Sequence, residues 1–455
     1  MNARDIALKA LRAPGENVTG ALRGLLGANA LSPEDRGLAR EIAMGVVRRK
    51  GTLNAVLRSY TRKDGRRMPT RVRQIIQIAL YQMLYLDRIP DFAAVNEAVE
   101  QTHRLGKRKL AGLVNAVLRA VERGLSETQS GPVPVARNII PVAPGRFRQI
   151  DRNVFADVES NSLGYLSQAY SLPELVVQRW LTQTGDKVAP VIRWARHANS
   201  SPPVIARVNC LRATVAEVLE SLAASGCEAI PHTNNQSVVI FSGPDLTTLP
   251  AFTQGWIQLQ DPTATDVVKA IKLQPGMQVL DLCAAPGTKT VHMAERMGNE
   301  GRIVAADISD EKIARINEGC ERMGITIVEA IHSTQIAAEA IGAFDVVLVD
   351  APCSNTGVLA RRVEARWRFS VDGLGRLIKD QKNLLAAAAA FTRPGGKVVY
   401  STCSIEPEEC ADIARFAEKA HLGLSLRSDK LTRPGGTEHP DQWHDGGYRA
   451  IFTRV

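Results

Sequence analysis

Residues 344–357 read FDVVLVDAPCSNTG, and this stretch constrains the fold more than any other. Val346, Val347, Leu348 and Val349 form a short apolar run bounded by turn residues. That pattern predicts a buried strand of a parallel sheet. The strand ends at Asp350, and Pro352 stops any continuation. Cys353, Ser354 and Asn355 then occupy a loop at the strand's carboxyl end, where open α/β sheets bind ligands. Residues 396–404, GKVVYSTCS, predict a second strand end carrying Cys403. Residues 277–290, MQVLDLCAAPGTKT, predict a third, ending at Asp281 and entering a loop of small residues. Three such strand ends predict a chemical site rather than packing alone.

From residue 255 onward strand and helix alternate. Strands are expected at 278–281, 302–307, 326–330, 345–350, 397–401, 422–426 and 448–453, with helices at 289–297, 310–323 and 374–391 between them. This is a doubly wound sheet. Its late hairpin, after Asp445-Gly446-Gly447, suggests the class I methyltransferase variant of the Rossmann plan.

At 455 residues the chain exceeds one core, so it is multidomain. Residues 1–125 read as all helix, with expected helices at 3–11, 32–49, 52–60, 70–86, 92–103 and 107–123. Ser32-Pro33-Glu34-Asp35 is a helix start, with a capping hydroxyl, proline at the first position and acids in the first turn. This segment holds 23 Lys and Arg against 11 Asp and Glu, while the whole chain carries +10. So localised an excess fits a nucleic-acid partner or a solvated helical surface about equally. Residues 126–160 are rich in Pro, Gly and Ser and read as a linker. Residues 161–254 predict a small α+β unit, with strands near 204–209 and 237–241 around a helix at 215–225. Residues 255–455 form the α/β domain.

Seven cysteines, an odd number with no CxxC, fit neither a disulfide framework nor a zinc site. The eight histidines show no ligand spacing, so no metal is expected. No signal peptide or bilayer-spanning run is visible, and a cytoplasmic monomer without a membrane partner is the expectation.

The loop CAAPGTK comprises Cys283, Ala284, Ala285, Pro286, Gly287, Thr288 and Lys289. Its small residues allow a ligand to approach the backbone, and the following helix start offers free N–H groups. GxGxxG and GxxxxGK[ST] are both missing, which disfavours a dinucleotide or ATP. Asp307 ends the next strand, where a carboxylate accepts ribose hydroxyls. A ribosylated ligand without a pyrophosphate is S-adenosyl-L-methionine. Cys353 and Cys403 both lie just past strand ends on one face of the sheet, so the two thiols can share a pocket. A thiol beside a methyl donor suggests cytosine chemistry: a thiolate adds to C6, C5 becomes nucleophilic and takes the methyl group, and loss of the C5 proton expels the thiolate. Asp350 can meet N3 of the ring. Cys210, Cys227, Cys320 and Cys410 read as small buried hydrophobes.

LDLCAAPGTKT, VDAPCSNTGV and YSTCSIEPEE resemble motifs I, IV and VI of the RNA 5-methylcytosine methyltransferases. LSPEDRGLAREIAMGVVRRKGTLNAVL, RQIIQIALYQMLYLDRIPDFAAVNEAVEQTHRLG and LAGLVNAVLRAV resemble the NusB-type RNA-binding domain. With RVNCLRAT in the middle unit, the chain is similar end to end to the bacterial Sun/Fmu (RsmB) family of small-subunit ribosomal RNA enzymes. The resemblance implies Cys403 as nucleophile and Cys353 in product release, with Asp350 and Lys289 in the active site. It implies that residues 283–289, Asp307 and Asp350 hold the cofactor. It implies that Arg48, Arg49, Lys50 and the basic groups near 62–73 and 104–109 contact phosphates. Two departures stand out. EAIHSTQ puts Ile331, His332 or Ser333 where the family usually has an Asp, and Asn355 follows PCS where the family usually has Gly. Transfer RNA or large-subunit RNA as substrate remains open, as does an RNA-binding assembly factor with a decayed enzyme domain.

Overall fold

The alternation read from residue 255 onward folds as one mixed sheet, in a computed structural model that describes residues 2–13, 17–61, 68–336 and 340–455. The chain divides into two units, residues 1–200 with 359–369, and residues 201–358 with 370–455.

The first unit begins with α1 (Ala3–Ala10), α2 (Val18–Gly27), α3 (Pro33–Tyr60), α4 (Thr70–Tyr85), α5 (Asp91–Arg104) and α6 (Arg108–Gly124). The start of α3 is as expected: the Asp35 N–H donates to Ser32 Oγ at 3.1 Å, and Pro33 opens the helix. The expected break near residue 50 is corrected, because α3 runs unbroken for 28 residues. Gly51 does not end the helix. A Cβ there would stand 2.9 Å from Ser171 Cα, so the glycine admits a neighbouring segment.

The stretch expected as a linker carries β1 (Gln129–Ser130), β2 (Ile139–Ala143) and β3 (Arg146–Gln149), antiparallel in the order β1-β3-β2. Ile139, Ile140, Val142 and Phe147 are buried, which gives this segment an apolar face of its own. Helices α7 (Ser162–Ala169), α8 (Glu174–Gln183) and α9 (Val188–Asn199) follow.

Two expected phosphate ligands are corrected here. Arg49 is buried and donates to the carbonyls of Val142 at 2.9 Å and Asn199 at 3.2 Å. Arg48 donates to the Ala360 carbonyl at 3.2 Å, and burial lowers its pKa. Buried carbonyls need donors, and these guanidiniums supply them. Lys50 lies 4.9 Å from the centroid of the Trp367 ring. Residues 62–67 lie outside the described residues. Arg71, Arg104, Lys107, Arg108 and Lys109 are exposed.

Residues 359–369 belong to this unit through Arg366, which is fully buried. Its guanidinium donates to the carbonyls of Arg48, Ser171, Ala198 and Leu359 and to Asn199 Oδ1.

The second unit opens with β4 (Val204–Val208), α10 (Val215–Ala224), β5 (Glu228–Pro231), β6 (Ser237–Ser242) and β7 (Ile257–Leu259). These strands form an antiparallel sheet in the order β5-β6-β4-β7. Then come α11 (Pro262–Ile271), β8 (Gln278–Asp281), α12 (Thr288–Arg296), β9 (Arg302–Asp307), α13 (Asp310–Met323), β10 (Val328–His332) and β11 (Phe344–Asp350). The chain ends with α14 (Val371–Phe391), β12 (Thr392–Thr402), α15 (Ala411–Lys419), β13 (Leu424–Thr432) and β14 (Gly447–Arg454). The order is β10-β9-β8-β11-β12-β14-β13, with β14 antiparallel to both neighbours. This is the methyltransferase variant of the Rossmann plan. The order reverses between β8 and β11, which is where a doubly wound sheet opens its ligand crevice. Apolar clusters cover both faces, one around Val279, Val346 and Ile316 and the other around Leu280, Val347 and Leu385. Among the described residues no helix is long and apolar enough to cross a membrane.

Candidate active site

Sheet register assembles the site. Asp350 pairs with Ser401 across β11 and β12, so the loops that follow the two strands leave the sheet side by side. Cys353 lies three residues past Asp350 and Cys403 two past Ser401. Their sulfurs stand 3.2 Å apart, and both thiols are half-buried. Lys289, near the start of α12, donates to Asp350 Oδ2 at 2.6 Å, and Ser401 Oγ donates to Oδ1 at 2.6 Å. The four residues expected to carry catalysis therefore meet at the carboxyl ends of β8, β11 and β12.

Electrostatics separates the thiols. The hydrogen bond with Cys403 and then burial hold the Cys353 thiol well above the ordinary range, so Cys353 keeps its proton. Burial opposes the charge on Lys289, yet the Asp350 carboxylate prevails and holds the ammonium above its usual pKa. Cys283 is pushed up to about 12 by burial and by Asp281, Asp350 and Asp307 around it, which makes it a packing thiol.

The cofactor loop fits its assigned ligand. Gly287 has φ +92°, and α12 starts there with no side-chain cap, leaving its first N–H groups free. The Ala285 N–H donates to Asp307 Oδ2 at 3.0 Å, while Oδ1 accepts from Ile308 N at 2.8 Å and Lys312 Nζ at 2.9 Å. A carboxylate has about four acceptor positions, so Asp307 can still take a ribose hydroxyl. Of the three candidates for the family's acid position, Ile331, His332 and Ser333, His332 pairs with Asp307 in register, and its Nε2 lies 3.0 Å from the Ile308 carbonyl.

Sequence reasoning missed the frame around the thiols. Glu409, fully buried, accepts from Ser354 N and Gln381 Nε2, each at 2.9 Å, and from Ser354 Oγ. Ile405 N donates to Thr356 Oγ1 at 3.1 Å, and Gly357 N to the Cys403 carbonyl at 3.0 Å. A pocket beside Cys403, Lys289 and Asp350 is also lined by Asp261, Thr263, Asp445 and Gly446. Asp445 N donates to both oxygens of Asp261 at 3.2 Å. The one sequence signal for this wall was Asp445-Gly446-Gly447, which read only as a turn.

Comparison with known proteins agrees with this geometry. Residues 268–443 match the profile described as 16S rRNA methyltransferase RsmB/F, residues 1–123 the NusB family, and residues 172–246 an RsmF/B-like ferredoxin-like domain. The probable ribosomal RNA small subunit methyltransferase B of Bacillus subtilis is 31% identical over 449 residues, covering 95% of this chain and 93% of that protein. The Pseudomonas syringae pv. tomato ribosomal RNA small subunit methyltransferase B is 30% identical, covering 100% and 97%. The crystal structure of PH0851 has the same fold over 100% of this chain and 99% of its own, with TM-score 0.71 and 22% identity. NSun6 from Pyrococcus horikoshii covers 62% of this chain and 98% of its own, with TM-score 0.53 and 17% identity. The chain belongs to the ribosomal RNA small subunit methyltransferase B family, a family of S-adenosyl-L-methionine-dependent enzymes.

Proposed function

We propose that this chain methylates C5 of a cytosine in small-subunit ribosomal RNA through a covalent bond between Cys403 and C6. The observation that carries the reading is the pair of sulfurs 3.2 Å apart beside the Lys289–Asp350 pair. S-adenosyl-L-methionine, held by residues 283–289, Asp307 and Asp350, supplies an electrophilic methyl group.

Cys403 sulfur forms a bond to C6, and the C5–C6 π electrons move toward C5. Asp350, fixed by Lys289 and Ser401, meets the N3 edge and relays the proton released by the Cys403 thiol to N3, so the ring takes up the sulfur's electron pair without net charge, and the proton returns when the sulfur leaves. C5 gains the methyl group. A base then removes the C5 proton, the C5–C6 double bond re-forms, and the C6–S bond breaks with its electrons returning to sulfur. Cys353 suits this second half. The largest factor that keeps it protonated is its contact with Cys403. Once Cys403 sulfur is bonded to carbon it no longer exerts that effect, and Cys353 ionises more readily to the thiolate that can take the C5 proton. In the same reading residues 1–125 hold the RNA, residues 255–455 transfer the methyl group, and the enzyme works as a monomer in the cytoplasm.

The test is a denaturing gel. Cys353→Ala should transfer the methyl group and stall as a protein–RNA adduct that nuclease removes. Cys403→Ala should bind RNA and cofactor yet form no adduct, and the double variant should form none. An adduct from Cys403→Ala overturns the assignment.

A further inference from the structure

Asn355 stands where the resembled family usually carries glycine, and the backbone explains why glycine suits the position. Asn355 has φ +62°, in the left-handed region. Asparagine tolerates that region better than other side chains do. Unlike glycine, it brings a carboxamide to the thiols. Nδ2 donates to the Cys353 carbonyl at 2.7 Å. That bond orients the amide, because a flip would set two carbonyl oxygens against each other. Oδ1 therefore faces Cys403 Sγ, at 3.2 Å. An amide oxygen can only accept, so the Cys403 thiol donates to it. With that proton committed, the hydrogen between the two sulfurs belongs to Cys353.

We propose that Asn355 is a positioning residue that sets this direction, from Cys353 to Cys403 to its own Oδ1, and holds Cys403 as the protonated thiol in the resting enzyme. Ionised sulfur would face the amide oxygen without a hydrogen between them, which is repulsive. Asn355 thus restrains the thiol until a bound base reorders the site. The glycine of the resembled family supplies the same turn without that restraint.

Timed alkylation of the full chain with iodoacetamide, followed by peptide mapping, reads Cys403 and Cys353 separately. Asn355→Gly keeps the turn and removes the acceptor. Cys403 should then alkylate about three- to tenfold faster, the factor a hydrogen bond of ordinary net strength represents. Asn355→Asp loses the bond to the Cys353 carbonyl but sets a full negative charge beside Cys403, which disfavours the thiolate, so Cys403 should alkylate more slowly than in the parent. General loosening of the loop would speed both variants. An unchanged or slower rate in Asn355→Gly, or a shift of both variants in the same direction, overturns the proposal. Should Asn355→Gly not fold, Asn355→Asp decides alone, and a rate equal to or above the parent's overturns it. The proposal rests on Cys403 as the attacking thiol, but alkylation needs neither RNA nor cofactor. A wrong choice of nucleophile would appear as an adduct from Cys403→Ala and leave the alkylation result standing.

Discussion

Glu409 Oε1 accepts the backbone N–H of Ser354 at 2.9 Å, so a carboxylate from beyond one cysteine loop holds the backbone of the other. Oε1 also takes Gln381 Nε2, whereas among the described residues Oε2 takes only the Ser354 hydroxyl, which can rotate and accept instead. Glu409→Gln can therefore keep its oxygen at the crowded position and turn its NH2 to the hydroxyl. We expect Glu409→Gln to retain methyl transfer within about threefold. Glu409→Ala leaves buried donors without acceptors, and should lose roughly 1–3 kcal/mol of stability and most of kcat, with KM for cofactor little changed. Steady-state kinetics with thermal unfolding checks both. Equal loss in the two variants would mean that charge, not acceptor count, holds the loop.

Asp281 is buried at the end of β8, and burial pushes its carboxyl up to about 7. An unfolded Asp titrates near about 3.9. Between the two values the folded state holds a proton that the unfolded state has lost. The stabilisation is complete below the unfolded pKa and is lost as pH rises through the folded one, up to about 4 kcal/mol. Asp281→Asn cannot ionise. Its melting temperature relative to the parent should therefore rise between about pH 4 and pH 7 and level off above. A constant difference would mean that Asp281 is charged throughout.

The missing acid after β10 predicts a loosened grip on the cofactor. Ser333 follows His332 and opens a short 3-10 turn. Ser333→Asp, which leaves the His332 contact with Ile308 intact, should tighten cofactor binding by on the order of 1 kcal/mol, about fivefold. Calorimetry on the parent and on Asp variants at 331, 332 and 333 reads this directly. No tightening in any variant would show that the adenine end is closed by other groups.

Lys107, Arg108 and Lys109 are exposed at the start of α6. If they meet phosphates, replacing all three with Ala weakens RNA binding and lowers the slope of log affinity against log salt by about 2, at roughly 0.7–0.9 per contact. Filter binding at several salt concentrations measures the slope. An unchanged slope removes this cluster from the RNA surface.

The strand before Asp350 was legible because its central side chains pack into the two apolar clusters on either face of the sheet. Val346, Val347, Leu348 and Val349 are all buried, and no other element tolerates that pattern next to Asp350 and Pro352. Residues that meet across long separations were not legible. Asp261 and Asp445 lie 184 positions apart, and neither looks unusual alone. Glu409 in PEE looks like an ordinary acid at a helix start. Arg48 and Arg49 sat in a basic run that suggested phosphates, and only the fold exposes the carbonyls they serve. The departure at Asn355 was visible in the sequence. Its bond to Cys403 was not, because the left-handed turn aims the side chain.

Residues 359–369 leave the second unit directly after Val358 and return to it at Ser370. The covalent path is that of a splice rather than a string, so no single cut yields two whole halves. A fragment starting at residue 201 carries Arg366 away from most of the carbonyls that solvate it. A fragment ending at residue 200 keeps those carbonyls with no donor. Each half is missing what the other retains, so complementation by two co-expressed pieces is the natural dissection of this enzyme, and truncation is not.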